Sequence, residues 1–133
     1  MFTVVNVLGM VHDRQGRVVR GELDRSSGLR RSFREQLELH LASGGPTVVE
    51  PGNTTLTVVV TNASLDERAL RQLGRSVHSS LARAIQPFHT ADDGDVLFAV
   101  TTGGVEASLS LTALSVLAAE LAWDAVLRAV AAD

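Results

Sequence analysis

Residues Thr54 to Thr61 read Thr-Thr-Leu-Thr-Val-Val-Val-Thr, and no other stretch limits the fold of this chain so strongly. β-branched side chains are stiff at χ1 and fit a pleated surface, so the run predicts a strand. Its near-continuous apolar centre predicts burial on both faces. Asn62-Ala63-Ser64 leads out of it into a helical pattern, with Ser64 as N-cap and Glu67 three residues on, the arrangement of a capping box. Leu70, Leu73, Val77, Leu81 and Ile85 then recur at three- and four-residue steps as one apolar stripe, and Pro87 ends the helix. Val96 to Thr101 predicts another strand, stopped by Gly103-Gly104. A long helix is expected from about Val105 to Ala131, with Leu114, Leu117, Leu121 and Ala125 on its buried face and Glu120, Asp124 and Arg128 on another.

The first third is less regular. Phe2 to Leu8 alternates and reads as a strand; Asp13-Arg14-Gln15-Gly16 is a turn, with a short returning strand over Arg17 to Arg20. Residues 21–36 show no clean period and read as a solvated or mobile segment. Gln36 to Leu41 adds a helical turn or two before Ser43-Gly44-Gly45-Pro46 breaks it. Strands and helices in this order suit a sheet covered by helices, a layered α/β fold. At 133 residues there is at most one domain, long enough to bury a core.

Composition removes several kinds of function. A net charge of −3 gives no reason to expect nucleic acid or an anionic membrane as partner. There is no cysteine, so disulfides, thiol catalysis and cysteine metal sites are excluded; there is no tyrosine, and every basic residue is arginine. Covalent catalysis would therefore use Ser, Thr, His or a carboxylate. His12, His40, His78 and His89 lack metal-ligand spacing and read as surface or packing residues. No metal and no organic cofactor is expected. The Arg30-Arg31-Ser32-Phe33-Arg34 cluster is offset by Glu35 and Glu38, and Gly103-Gly104 lacks the spacing of a phosphate loop. Met1-Phe2-Thr3-Val4-Val5 carries no basic leader, and Ala107 to Ala119 is too short to span a bilayer. A cytoplasmic protein is the expectation.

Taken singly, the polar residues of interest have ordinary readings. A threonine opening a strand is usually structural, and Asp92-Asp93-Gly94-Asp95 is turn chemistry, with a calcium loop as a weaker option. Asn6 shares a strand face with Phe2, Val4 and Leu8, which is expected to point inward, where an amide ties backbone together.

The combination says more. Gly52-Asn53-Thr54-Thr55-Leu56-Thr57-Val58-Val59-Val60-Thr61-Asn62-Ala63 followed by Asp92-Asp93-Gly94-Asp95 resembles the L-aminopeptidase/D-esterase-amidase family of N-terminal nucleophile hydrolases, which includes β-peptidyl aminopeptidases and nylon-oligomer hydrolases. The resemblance implies an αββα sandwich, of which this chain would supply a mixed sheet covered by two long C-terminal helices. Residues 1–53 resemble the end of the larger subunit and residues 54–133 the small subunit. It implies that the Asn53–Thr54 bond is cut by the protein itself, freeing Thr54 as nucleophile of an amidohydrolase or aminopeptidase. The freed α-amine, which titrates near about 7.7–8.0, would take the hydroxyl proton. Asp93 and Asp95 would accept hydrogen bonds from that hydroxyl and amine, and Asn6 would stabilise the oxyanion.

The family's site also draws a lysine, and in some members a tyrosine, from earlier in the larger subunit. This chain has neither, so a missing N-terminal portion of the same protein is an expected partner, beside a peptide or amide substrate. An apolar face and sheet edge bared by that loss predict self-association, a homo-oligomer. Two other readings share these residues: an acyltransferase that passes the acyl group from Thr54 to an amine, and a non-catalytic interaction domain.

Overall fold

A computed structural model describes residues 1–44 and 53–131. Gly45 and Pro46 of the expected helix stop, and Gly52 of the segment that carries the family resemblance, lie outside the described residues. The element order is β1 (Phe2–Asn6), β2 (Met10–His12), β3 (Val18–Arg20), α1 (Phe33–Ser43), β4 (Thr54–Ala63), α2 (Glu67–Ser80), β5 (Ile85–Gln86), β6 (Val96–Val105) and α3 (Leu111–Val130).

The β-branched run forms the central strand of the main sheet, ordered β1-β4-β6. β4 pairs antiparallel with β1, placing Phe2 opposite Val58, Val4 opposite Leu56 and Asn6 opposite Thr54. It pairs parallel with β6, placing Leu56, Val58 and Val60 opposite Val96, Phe98 and Val100. The sheet is therefore mixed, and α2 and α3 pack on one side of it. Leu73, Val77, Leu81 and Ile85 are all buried in that layer, as their spacing predicts. α2 lies close on β6 at Gly74, where a Cβ would stand 3.3 Å from that of Ala99. The layered α/β arrangement with two C-terminal helices over a mixed sheet is thus the fold observed.

Burial of β4 on both faces is not. Thr55, Thr57 and Val59 are buried under the helices, whereas Leu56 and Val60 are exposed. Phe2 and Val4 of β1 and Phe98 and Val100 of β6 join them on the bare side, with Phe2 74% and Phe98 57% exposed. Asn6 belongs to this face too and is exposed rather than inward.

α3 also differs from expectation. Its buried residues are Ala118, Ala122 and Val126, while Leu117 and Leu121 are exposed. Small side chains let the helix approach its neighbours closely, and the leucines fall on the outer side. The helix begins at Leu111, because β6 runs on through Gly103-Gly104 to Val105. Ser110 caps it, accepting a bond from the Ala113 amide. α2 is capped by Asp66, not Ser64: the Asp66 carboxylate accepts from the Ala69 amide at 2.7 Å. α2 ends at Ser80, ahead of Pro87, with a 3₁₀ turn over Leu81–Arg83 releasing Ile85 into a second sheet.

Of that sheet, ordered β3-β2-β5, the sequence predicts only β3, the returning strand over Arg17 to Arg20; β2 and β5 are three and two residues long and carry no pattern. It ties the N-terminal segment to the far part of the chain. Trp123 Nε1 of α3 donates to the His12 carbonyl at 3.1 Å, and the Arg14 and Arg83 guanidinium groups stand 5.0 and 4.8 Å from the Trp123 ring centroid. Arg14 also pairs with Glu120 and Asp124, and Arg83 with Glu120.

The segment read as solvated or mobile is organised by Asp24, which accepts from Ser26 and Arg31 and whose carboxyl these bonds hold well below the usual range. Its end forms the first turn of α1, where Ser32 and Glu35 make a complete capping box. Gly44, in the left-handed conformation, closes that helix.

Candidate active site

Thr54 is the first residue of β4 and is half-buried, at the end of the sheet where β1 finishes. The antiparallel register sets Asn6 directly across from it, so the two side chains share the open face. The Thr54 hydroxyl is folded back on the preceding peptide, donating to the Asn53 carbonyl oxygen at 2.7 Å.

The Asp92–Asp95 loop reaches the same point because β6 runs parallel to β4, bringing the approach to its first residue alongside Thr54. Asp93 closes the loop upon itself: its Oδ2 accepts from the Thr90 amide at 2.9 Å and the Thr90 hydroxyl at 2.8 Å. Asp95, only 9% exposed, accepts from the Thr55 amide at 2.6 Å through Oδ1 and from the His89 amide at 3.0 Å through Oδ2. Between them, the Gly94 amide donates to the Asn53 carbonyl at 3.0 Å. Successive loop residues therefore hold the carbonyl before Thr54 and the amide after it.

The structure thus brings Asn6, Asn53, Thr54, Asp93 and Asp95 to one end of the sheet. It gives the two aspartates bonds other than those expected from the sequence. The Thr54 hydroxyl is engaged by its own neighbouring carbonyl, and the carboxylates bind backbone amides and Thr90. Gly94 escaped the sequence reading; its one signal there was a glycine set between two candidate carboxylates. His89, Thr90 and His78 left no comparable sign.

His89 has a positive φ of 56°, rare for a side-chain-bearing residue, and in that conformation its backbone N–H donates to Asp95 Oδ2. Its ring meets His78 of α2 edge-on, with centroids 4.6 Å apart, and His78 also lies 5.0 Å from the Phe88 ring. Burial holds the His78 imidazole below its ordinary value of 6.5, assisted by His89 and opposed by Asp95.

An open cleft of about 390 Å³ runs past this cluster, lined by Arg71, Arg75, His78 and Asp95. A groove of about 960 Å³ lies along the first turns of α2 and does not reach Thr54. Among the described residues no group of three or more His, Asp or Glu could hold a metal ion. No helix among them is long and apolar enough to cross a membrane.

Comparison with known proteins places this geometry in context. The chain is 43% identical to the 6-aminohexanoate-oligomer endohydrolase of Agromyces sp. (strain KY5R), over 95% of its own length and 39% of the relative's. The same figures hold for the 6-aminohexanoate-oligomer endohydrolase of Paenarthrobacter ureafaciens. An uncharacterised aminopeptidase of Mycobacterium leprae (strain TN) is 48% identical over 42% of this chain and 16% of its own length. The chain spans about two fifths of the length of the first two relatives. The resemblance read from residues 52–63 and 92–95 extends over almost the whole sequence, since the sequence model of Peptidase family S58 matches residues 4–133, and the chain belongs to that family.

Proposed function

We propose that this chain is the nucleophile-bearing part of an amide- or peptide-hydrolysing enzyme that matures by cutting its own Asn53–Thr54 bond. The observation that carries the reading is the Thr54 hydroxyl folded onto the Asn53 carbonyl at 2.7 Å, with Asn6 in register across the strand pair. Family membership supports the reaction class.

In the first step Thr54 Oγ1 adds to the Asn53 carbonyl carbon. The C–N bond breaks, the hydroxyl proton ends on the departing Thr54 nitrogen, and residue 53 is left as an ester on Oγ1. Water hydrolyses the ester, leaving a carboxylate on Asn53 and restoring the hydroxyl. The new α-amine, with a pKa near about 7.7–8.0, is then the base for Oγ1 in each turnover. Oγ1 attacks the substrate carbonyl, the amine half leaves with a proton, and water releases the acyl group. Asn6 contributes its amide to the oxyanion. Departure of the Asn53 carbonyl frees the Thr54 hydroxyl, and Asp93 and Asp95 orient it together with the amine.

Relatives named for 6-aminohexanoate oligomers act on aliphatic amides, and we extend that substrate class, with small peptides, to this protein. The residues that complete the pocket come from the rest of the same polypeptide, whose counterpart in these relatives is about three fifths of their length. The bare apolar side of the sheet supports assembly with that portion and into a homo-oligomer, and the protein works in the cytoplasm. The cut yields pieces 1–53 and 54–133.

The test is the intact mass of the purified full-length protein over time. A piece beginning at Thr54, absent in Thr54→Ala, is the expected result. A wild-type protein that stays whole while folded overturns the proposal.

A further inference from the structure

We infer that the Gly94 amide is the oxyanion donor for the Asn53–Thr54 cleavage, and that position 94 is glycine to leave room for the nucleophile. The inference rests on the self-cleavage reading above.

The Gly94 N–H already binds the oxygen on which negative charge would develop, at 3.0 Å. Donors at about 2.7–3.1 Å from such an oxygen are the range in which an oxyanion is stabilised, and they act best when nothing has to reorganise. Here the donor is fixed from both sides. Asp93 closes the turn onto Thr90, and Asp95 anchors the Thr55 amide at 2.6 Å. As Oγ1 adds to the carbonyl carbon, the electron pair of the C=O bond moves onto the oxygen facing Gly94. It returns when the C–N bond breaks and the proton passes to the Thr54 nitrogen.

The absence of a side chain at 94 has one beneficiary. Gly94 is not among the residues of positive φ, so its backbone does not require glycine. A Cβ there would stand 2.8 Å from Thr54 Oγ1, and the next nearest atoms are the Asn53 carbonyl oxygen at 3.7 Å and Thr54 Cβ at 3.8 Å. All three belong to the bond to be cut or to its nucleophile. A methyl group at 94 would push Oγ1 off its position while leaving the N–H in place. Once the Asn53 carbonyl has left, the same N–H faces the space that the acyl oxygen of an ester on Oγ1 would enter. Gly94 thereby serves turnover as well as maturation.

The two roles of Gly94 separate by experiment on the full-length protein. Glycolic acid placed at 94 by nonsense suppression replaces the N–H with an ester oxygen and changes no shape. Cleavage slowed by about 100-fold or more, in a protein that still unfolds cooperatively, is expected from loss of one such donor. Cleavage within threefold of the parent overturns the donor role. Gly94→Ala keeps the N–H and tests the room: loss of cleavage, partly restored by Thr54→Ser, is expected because serine's hydroxyl turns more freely. An unchanged rate in Gly94→Ala overturns the steric role. Failure of the self-cleavage reading looks different, since the unmodified protein itself would then yield no piece beginning at Thr54.

Discussion

The two faces of the β1-β4-β6 sheet are built against the usual rule. The side under α2 and α3 carries Thr55 and Thr57, which are 1% and 0% exposed, along with Val59. The open side carries Phe2, Val4, Leu56, Val60, Phe98 and Val100. A contiguous apolar surface of this kind on a soluble domain marks an interaction site. Strand periodicity separates two faces, but it does not say which one the same chain covers. In this chain the greasier face is the one left bare, and Thr54 and Asn6 lie at its end. The candidate site is therefore at a boundary, and whatever covers the sheet would also roof Thr54 and Asn6.

The comparison breaks most visibly through the core beneath the helices. Leu73→Ala, at a fully buried position, should destabilise the chain by about 2–5 kcal/mol in urea or thermal unfolding. Phe98→Ser on the open side should change stability by no more than about 0.5 kcal/mol while reducing self-association in light scattering. Equal losses from the two would mean that the open side is covered within this chain after all.

The two buried threonines sharpen it further. Thr57 Oγ1 lies 3.0 Å from Thr3 Oγ1, so Thr57→Val should cost about 1 kcal/mol. The Thr55 hydroxyl is buried and has no hydrogen-bond partner among the described residues, so Thr55→Val should raise stability by up to about 1 kcal/mol. A loss at both positions would show that the covered face uses its hydroxyls in another way.

The smallest effect is on pH. Burial lowers the His78 pKa in the folded state from 6.5, so the unfolded chain binds this proton more readily. The stability that depends on neutral His78 is complete above pH 6.5, and it declines as pH falls below 6.5 toward the folded value. Melting temperature against pH should show that decline, and His78→Phe should flatten it.

Much of this was legible in the chain. The strand–helix–strand unit from β4 to β6 followed from β-branched content and the Leu73, Val77, Leu81, Ile85 stripe. Asn6, Thr54, Asp93 and Asp95 lie at one end of the sheet, while the bonds that the family resemblance implied for the two aspartates are not the ones they make. What escaped reading has identifiable causes. β2 and β5 are too short to carry a period, and they exist only because residues far apart in sequence pair. The buried face of α3 is made of Ala118, Ala122 and Val126, and close approach there outweighed the larger leucines that hydropathy favours. Asp66 displaced Ser64 as cap because the helix starts two residues later than the pattern suggested. The task of Gly94 is fixed by a distance, which no spacing in a sequence encodes.

The strand pairing has a consequence for timing. β1 precedes the Asn53–Thr54 bond and the Gly94 loop follows it, yet both must be seated for Thr54 to have its surroundings. Neither can be seated in a chain that has not folded. Scission at this bond would then act as a proofreading signal: a copy that folds wrongly keeps its peptide whole and never exposes an α-amine. In a correctly folded copy the β1–β4 and β2–β5 ladders and the Arg14 pairs cross the break, so the two halves should travel together until a denaturant parts them. The fraction severed in a preparation would be a count of the molecules that folded.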